Sequence, residues 1–313
     1  MEVDNRVFGA RFGAMTDGIS GRRIGLLGAT GSIGLPLGEA LEGAGADVVR
    51  FSRGGTGEGG EWRSSESAID LSGLDAVINL AGEPVAQRWS AGVKKRIKES
   101  RAGLSRRLVE ALEGLPEGER PGCLISASAV GYYGSRGEEE LRETVGAGDD
   151  YLAEVCRDWE AEAGKAEIFG MRVVFLRTGI VLGKGGEAWK RLSRVFRLGL
   201  GGVLGNGRQW MPWIHMEDEV AAILFLLQSE TVEGAVNLSS PTPMRNRDFT
   251  RCLAGALRRP DFLPVPGWAL RLVFGEFAGV LLGSARALPE VLLREGYVFR
   301  YGTLEEALEE LCD

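Results

Sequence analysis

The chain has a single histidine, His215, and four cysteines, Cys123, Cys156, Cys252 and Cys312, none at C-x-x-C spacing. A structural zinc site needs a convergent set of nitrogen and sulfur ligands, and these are too few and too scattered. A disulfide scaffold is equally unexpected at this chain length. The thiols are expected to be reduced and buried, in a cytoplasmic protein. There is no basic excess, since the net charge is −7 and the sequence pI about 5.2. That excludes a general nucleic-acid or acidic-membrane binder, but leaves room for a local basic site for a phosphorylated ligand. Residues 1–22 hold no apolar run long enough for a signal peptide or a membrane span. They read as a disordered extension. An organelle transit peptide is the alternative, and the acids Glu2, Asp4 and Asp17 count against it.

What is present is an ordinary globular composition, 44% hydrophobic and 26% charged over 313 residues, enough for one large α/β domain with an appendage or for two domains. Ile24–Leu27 reads as a strand and is followed by a helix over 32–43. Asp47–Ser52 is a second strand, and 53–66 a glycine- and serine-rich loop. Ile69–Leu71 is a candidate short strand. Ala76–Ala81 is too apolar to have a wet face, which suits the centre of a parallel sheet. A long helix is expected over 90–113, a buried strand over 122–129, a helix over 151–164 and a strand over 171–176. Further on come helices over 189–198, 217–228 and 246–257, a strand over 234–238, and a helix from Thr303 with Glu306 at capping-box spacing. This alternation predicts an α/β fold, a Rossmann-type doubly wound parallel sheet, with a smaller mixed C-terminal domain on the substrate side. The expected boundaries are 23–240 for the first, with 183–215 contributing to the substrate side, and 241–313 for the second.

Gly28, Gly31 and Gly34 fall at G-x-x-G-x-x-G spacing between the first strand and its helix. Such a turn lets backbone approach a pyrophosphate, with Thr30, Ser32 and Ile33 beside it and the helix dipole behind it. Strand two ends in Ser52-Arg53. An acid there would bind a ribose 2′-hydroxyl, whereas Arg pairs with a 2′-phosphate, so the expected cofactor is NADP (as NADPH) rather than NAD. Leu80, Ala81 and Gly82 leave a central strand through small residues, suited to backbone contact with the cofactor. Ser126, Ser128, Tyr132 and Tyr133 bring hydroxyls to the same sheet edge. Of these, Ser128, Tyr132 and Tyr133 are the catalytic candidates, because a hydroxyl there can hold or protonate a substrate oxygen. Asp218 is a candidate cap for the 217–228 helix, and His215 either faces a pocket or sits satisfied in a core.

Taken in order, these stretches resemble the extended short-chain dehydrogenase/reductases. Ser128-Ala-Val-Gly-Tyr-Tyr-Gly134, Arg177-Thr-Gly-Ile-Val-Leu-Gly183 and Trp213-Ile-His-Met-Glu-Asp-Glu-Val-Ala221 follow that family's motifs. Asn79-Leu-Ala-Gly-Glu-Pro-Val85, Gly205-x-Gly-Arg-Gln209 and Arg286-Ala-Leu-Pro289 are similar to its atypical subgroup of epimerase family proteins, which carries its own C-terminal domain. The resemblance implies cofactor contacts from Ser52, Arg53, Leu80, Ala81, Arg101 and Val181. One departure stands out. The wider superfamily uses Tyr-x-x-x-Lys on a helix, and no tyrosine here is followed by Lys at that spacing. On the helix over 151–164, Tyr151 precedes Val155, and a shift by one residue gives Leu152 and Cys156. Two functions stay open. One is an NADP-dependent oxidoreductase or epimerase acting on a small polar, nucleotide-sugar-like substrate. The other is a non-catalytic NADP-binding regulatory or partner-binding protein. The expected partner is a small molecule, not nucleic acid or membrane, with a homodimer left open.

Overall fold

The computed structural model describes residues 18–66, 68–261 and 264–312. Gly18 to Gly21 form a turn, and Ile19 is fully buried in the core. The expected extension is thus structured from Gly18 on, because one isoleucine anchors it; residues 1–17 lie outside the described residues.

Strands β1 (Arg23–Leu27) and β2 (Asp47–Ser52) flank helix α1 (Gly34–Gly43) in sequence. Strand β3 (Glu61–Ser64) lies inside the expected glycine-rich loop. It is a four-residue edge strand with a single apolar side chain, Trp62, too short for a hydrophobic pattern to reveal it. Its Glu61 is held by Arg23 and Arg63. Ile69 and Leu71 are buried, but the expected short strand there does not form.

Strand β4 (Ala76–Asn79) is buried at every position. Helix α2 (Ala91–Lys98) runs through one π turn, Glu99–Gly103, into α3 (Leu104–Glu113). Strand β5 (Cys123–Ala129) ends in a 3-10 turn, Val130–Tyr133. There follow β6 (Glu140–Leu141), α4 (Tyr151–Gly164), β7 (Arg172–Thr178), β8 (Ile180–Leu182), α5 (Glu187–Arg197), β9 (Trp210–Met211), β10 (Trp213–His215), α6 (Met216–Gln228) and β11 (Gly234–Leu238).

Seven strands form one sheet in the order β3-β2-β1-β4-β5-β7-β11, and every pairing in it is parallel. The chain moves outward from β1 to β3, then crosses back to β4 on the other side of β1. Neighbouring crossovers diverge there, so a crevice opens beyond the carboxyl ends of β1 and β4, where ligands bind in such sheets. Both faces are covered, as a continuous apolar strand requires. Leu37 and Leu41 of α1 and Val220, Ile223 and Leu227 of α6 pack with Ile24, Leu26 and Ile78 on one side. Leu104, Leu108 and Leu112 of α3 pack with Leu27, Val77 and Leu124 on the other. Each such side chain contributes about 1.5–3 kcal/mol by leaving water.

The C-terminal part adds β12 (Met244–Arg245), α7 (Asn246–Ala256), α8 (Gly267–Phe274), α9 (Ala278–Leu282), β13 (Arg286–Ala287), α10 (Glu290–Arg294) and α11 (Leu304–Cys312). Its strands make small two-stranded sheets with earlier ones: β12 antiparallel to β9, and β13 parallel to β6. A further cluster joins α5, α7 and α11 through Trp189, Phe196, Phe249, Leu253 and Leu308. The capping box forms at α11, where the Thr303 amide donates to Glu306 at 3.0 Å. Among the described residues no helix is long and apolar enough to cross a membrane, and no cluster of His, Cys, Asp or Glu could hold a metal ion.

Candidate functional site

The glycine turn leaves β1 at Gly28, whose φ is +79°. A Cβ there would stand 2.8 Å from the Ala81 nitrogen and 2.8 Å from the Leu80 carbonyl carbon. A Cβ on Gly34 would stand 2.1 Å from the Gly28 oxygen. Turn, β4 exit and α1 are therefore pressed together as only glycine allows. Thr30, Gly31 and Ser32 are exposed, and Ile33 is half-buried. Ile33 precedes α1 and supplies no side-chain cap, and the first turn carries no acid. By contrast Ser90 caps α2 through the Val93 amide and Asp150 caps α4 through the Ala153 amide. The α1 terminus thus keeps its amide donors and positive dipole end free of side-chain acceptors, which suits an anion.

At the β2 exit the Ser52 hydroxyl is bonded to the loop, donating to the Thr56 oxygen at 2.9 Å. Arg53 is exposed, and its guanidinium pairs with no described residue. At the β4 exit Asn79 is fully buried; its Oδ1 accepts from the Ala81 amide at 3.2 Å, while its Nδ2 has no partner. Leu80 and Ala81 are half-buried and Gly82 exposed.

The π turn brings Arg101 to this edge. A Cβ on Gly82 would lie 3.1 Å from the guanidinium carbon. Arg101 donates to the Ile97 oxygen at 3.2 Å and to Ser100 Oγ at 3.4 Å, and it lies 5.2 Å over the Trp159 ring. It has no carboxylate partner among the described residues. Burial pulls its proton affinity below the ordinary arginine value, and the nearby Cys156 and Tyr151 counter this in part. A half-buried cation without a counter-ion suits an incoming anion. Helix interruptions of the π type occur often at functional sites.

The β5 side is built differently. Ser128 donates its proton to Glu160 Oε1 at 2.7 Å. Glu160 in turn receives Arg177 Nε at 2.9 Å and Nη2 at 2.8 Å, a bidentate pair between side chains 10% and 5% exposed. Arg177 also donates to the Tyr133 hydroxyl at 3.0 Å, and Tyr133 donates to Asn237 Oδ1 at 2.7 Å. Tyr133 is fully buried, and burial pushes its phenol up to about 12. The sequence reading placed both tyrosines at the reacting edge; Tyr133 instead spends its hydroxyl inside this network. Tyr132 is half-buried, with its ring face 3.5 Å from the Arg177 guanidinium carbon and its hydroxyl free of described partners. Ser126 is buried and bonded only to the Ala127 oxygen, at 3.3 Å.

Cys156 lies on α4 one turn before Glu160. Burial pushes its thiol up to about 12, with the Glu160 charge adding to the shift. Val181 is half-buried on β8, just beyond β7. Beneath the β7 end, Thr178 donates to Glu219 Oε1 at 2.9 Å. Glu219 is fully buried with Oε2 unpartnered, and desolvation pushes its carboxyl up to about 8.

His215, the only histidine, does not face the crevice. It is 2% exposed, caps α6 by accepting from the Glu217 amide at 3.2 Å, and meets Glu310 at 3.2 Å. Asp218 therefore is not the cap. It accepts from the Arg300 and Tyr301 amides at 2.8 and 2.9 Å and pins the C-terminal segment to α6. Sequence reasoning missed the roles of Glu160 and Asn237. A usable signal existed: an acid one turn after Cys156 on the sheet-facing side of a helix, and Arg177 at the end of a buried strand, must find each other.

Residues 24–239 match the model of the NAD dependent epimerase/dehydratase family, and residues 265–311 match a domain of unknown function, DUF1731. An epimerase family protein of Mycobacterium tuberculosis is 39% identical over 293 residues, covering 91% of this chain and 96% of its own length. The chloroplastic SDR39U1 homolog of Arabidopsis thaliana, also described as an epimerase family protein, is 39% identical over 254 residues, 81% of this chain and 72% of its own. The crystal structure of the human epimerase family protein SDR39U1 with NADPH superposes with a TM-score of 0.85 at 32% identity, covering 93% of this chain and 99% of that one. The chain belongs to the NAD dependent epimerase/dehydratase family, and its relatives are SDR39U1-type epimerase family proteins.

Proposed function

We propose that the protein binds NADPH across the β1–β4 crevice and reduces a small polar carbonyl compound, or equilibrates the corresponding alcohols. The observation that carries this reading is the pairing of an α1 terminus free of side-chain caps with an unpartnered Arg53 at the β2 exit. The first suits the pyrophosphate and the second a 2′-phosphate. The human relative was crystallised with NADPH, which supports the same choice. Gly28, Thr30, Gly31, Ser32, Ile33 and Gly34 would form the turn, with Ser52 and Arg53 at the adenosine end. Leu80, Ala81, Gly82, Arg101 and Val181 would line the rest. When bound, the nicotinamide supplies the hydride.

The chain's own groups do the remainder. Ser128 has given its one proton to Glu160, so its lone pairs accept from a substrate or neighbouring hydroxyl. Arg177 fixes Glu160, and Glu160 fixes Ser128. Tyr132, with its free phenol, donates a proton to the substrate oxygen as hydride arrives at carbon. The Lys of the usual Tyr-x-x-x-Lys pair is absent in either register of α4, where Val155 or Cys156 stands. Arg101 brings a cation to that neighbourhood from the π turn of the adjacent helix. Residues 183–215 and the C-terminal part from 241 would wall the substrate side.

The test is NADPH and NADH titration followed by a carbonyl and nucleotide-sugar panel. NADPH should bind more tightly than NADH. Turnover should fall by about 10²–10⁴ in Tyr132→Phe while NADPH affinity holds. A second reading, a non-catalytic NADP-dependent regulator, draws on the missing Tyr-Lys pair. NADPH binding without turnover across the panel, together with a partner that associates only with the loaded protein, would favour it.

A further inference from the structure

Outside the crevice, Gly207, Arg208, Arg245, Arg247, Asp248 and Arg251 line a cavity of about 340 Å³. Four cations and one carboxylate share it, in a chain whose net charge is −7. Two segments build it, the glycine-rich loop before β9 and the run from Arg245 of β12 into the first turns of α7.

The loop is tied down. The Asn246 amide donates to the Gln209 oxygen at 2.8 Å and the Arg247 amide to the Gly207 oxygen at 3.0 Å. The Arg208 amide donates to Asn206 Oδ1 at 2.9 Å. Arg245 is anchored to Glu138 by bonds of 2.9 and 2.7 Å and lies 4.4 Å over the Trp210 ring. Arg247 reaches only a backbone oxygen, that of Asn206, at 3.1 Å. The side chain of Arg251 has no partner among the described residues, and that of Arg208 makes no hydrogen bond there, though its charge acts on the Glu138 carboxylate. Holding like charges together in a fixed frame costs free energy, and an anion of matching charge recovers it. The guanidinium fork fits phosphate oxygens in particular. The cavity's volume is at the small-ligand end of the usual range for binding pockets.

We propose that this cavity binds a phosphate-bearing small molecule of two or more negative charges, held by Arg208, Arg247 and Arg251 with Arg245 as its fixed wall. The ligand is either the phosphorylated end of the reacting substrate or a separate effector. Glu138, which anchors Arg245, lies on the segment that follows Tyr132 and Tyr133.

Inorganic pyrophosphate, titrated calorimetrically into NADPH-saturated protein at low salt, tests this. Prior saturation with NADPH keeps pyrophosphate out of the glycine turn. Expected are a submillimolar dissociation constant and roughly tenfold weakening between low and physiological salt. R208E and R251E, both at exposed positions, should each weaken binding by about tenfold or more, with NADPH affinity unchanged. R208E and R251E assayed on the substrate panel separate the two sources: a rise in KM confined to phosphorylated substrates assigns the cavity to the substrate's own phosphate, and an unchanged KM for them assigns it to a separate effector. No heat with pyrophosphate in the millimolar range, or wild-type affinity in R208E and R251E, overturns the proposal. If NADPH itself fails to bind, the arginine dependence of pyrophosphate binding still decides the matter separately.

Discussion

The two sides of the crevice follow opposite rules. On the β1–β2 side, backbone and single cations stand open: α1 has no side-chain cap, and Arg53 has no counter-ion. On the β5–β7 side, side chains close on one another from Ser128 through Glu160, Arg177 and Tyr133 to Asn237. An open surface of amides and cations is complementary to a ligand the protein takes up. A closed network holds the Ser128 and Tyr133 hydroxyls in fixed orientation. Under the proposed function, the comparison predicts that binding and chemistry can be perturbed independently.

The largest effect should come from the open side. In Gly34→Ala the new methyl group falls 2.1 Å from the Gly28 oxygen and drives α1 away from the turn. NADPH affinity should fall by about 100-fold or more. Thermal melts should show a cost of about 1–3 kcal/mol, typical of overpacking. A folded Gly34→Ala with a wild-type NADPH isotherm would remove the turn from the site.

The closed side is next. Arg177→Met strands the Glu160 carboxylate, 10% exposed, and should cost about 3–5 kcal/mol of stability. The double variant Arg177→Met/Glu160→Leu should recover much of it, because no uncompensated charge is left. Where the single variant still folds, NADPH affinity should stay within about threefold of wild type. A collapse of NADPH affinity at wild-type stability would break the proposed independence of the two sides.

The open side was also the legible one. Gly28, Gly31 and Gly34 announce themselves by spacing, and Arg53 by ending an apolar strand, because these are local facts of the chain. The seven-stranded sheet was legible for the same reason, except β3, whose short Glu61-Trp-Arg-Ser pattern has one apolar side chain, Trp62, packed on the core and ion pairs of Glu61 with Arg23 and Arg63. The closed side depends on residues far apart in sequence: Ser128 with Glu160, Tyr133 with Asn237, Thr178 with Glu219. Hydroxyl-bearing residues at a strand exit could be placed at an edge from sequence. Which of the two adjacent tyrosines turns inward could not, since a 3-10 turn decides it. The same holds for Asp218, which gives up the expected cap of α6 to His215, a histidine buried and satisfied as one of its two expected readings had it, because the amides of 300 and 301 and the Glu310 carboxylate come from afar.

Glu219 offers a pH readout of the closed side. Its carboxyl titrates near 4.5 unfolded and is pushed to about 8 by burial in the fold. Between those values the native state holds a proton that the unfolded state has lost, so stability declines as pH rises from about 4.5 to 8 and levels off above. Glu219→Gln removes that slope. Its stability relative to wild type should rise by more than about 1 kcal/mol between pH 4 and pH 8, while the unpartnered amide adds a constant offset at both. Denaturant titrations at the two pH values measure it. A pH-independent difference would mean that another group carries the slope.

Arg101 is the finest test, because it stands where the two sides meet. Its guanidinium packs against the β4 exit, yet it also approaches α4 beside Cys156. If it serves the ligand, Arg101→Met should weaken NADPH binding by about tenfold. Stability should hold or rise slightly, since a half-buried cation without a carboxylate is relieved. If it serves the fold, the order reverses: the melting temperature drops and affinity is kept. Turnover then separates binding from chemistry. A cation that only grips the cofactor leaves the rate at saturating NADPH intact, whereas one that stands in for the absent lysine lowers that rate and moves its pH profile along with it.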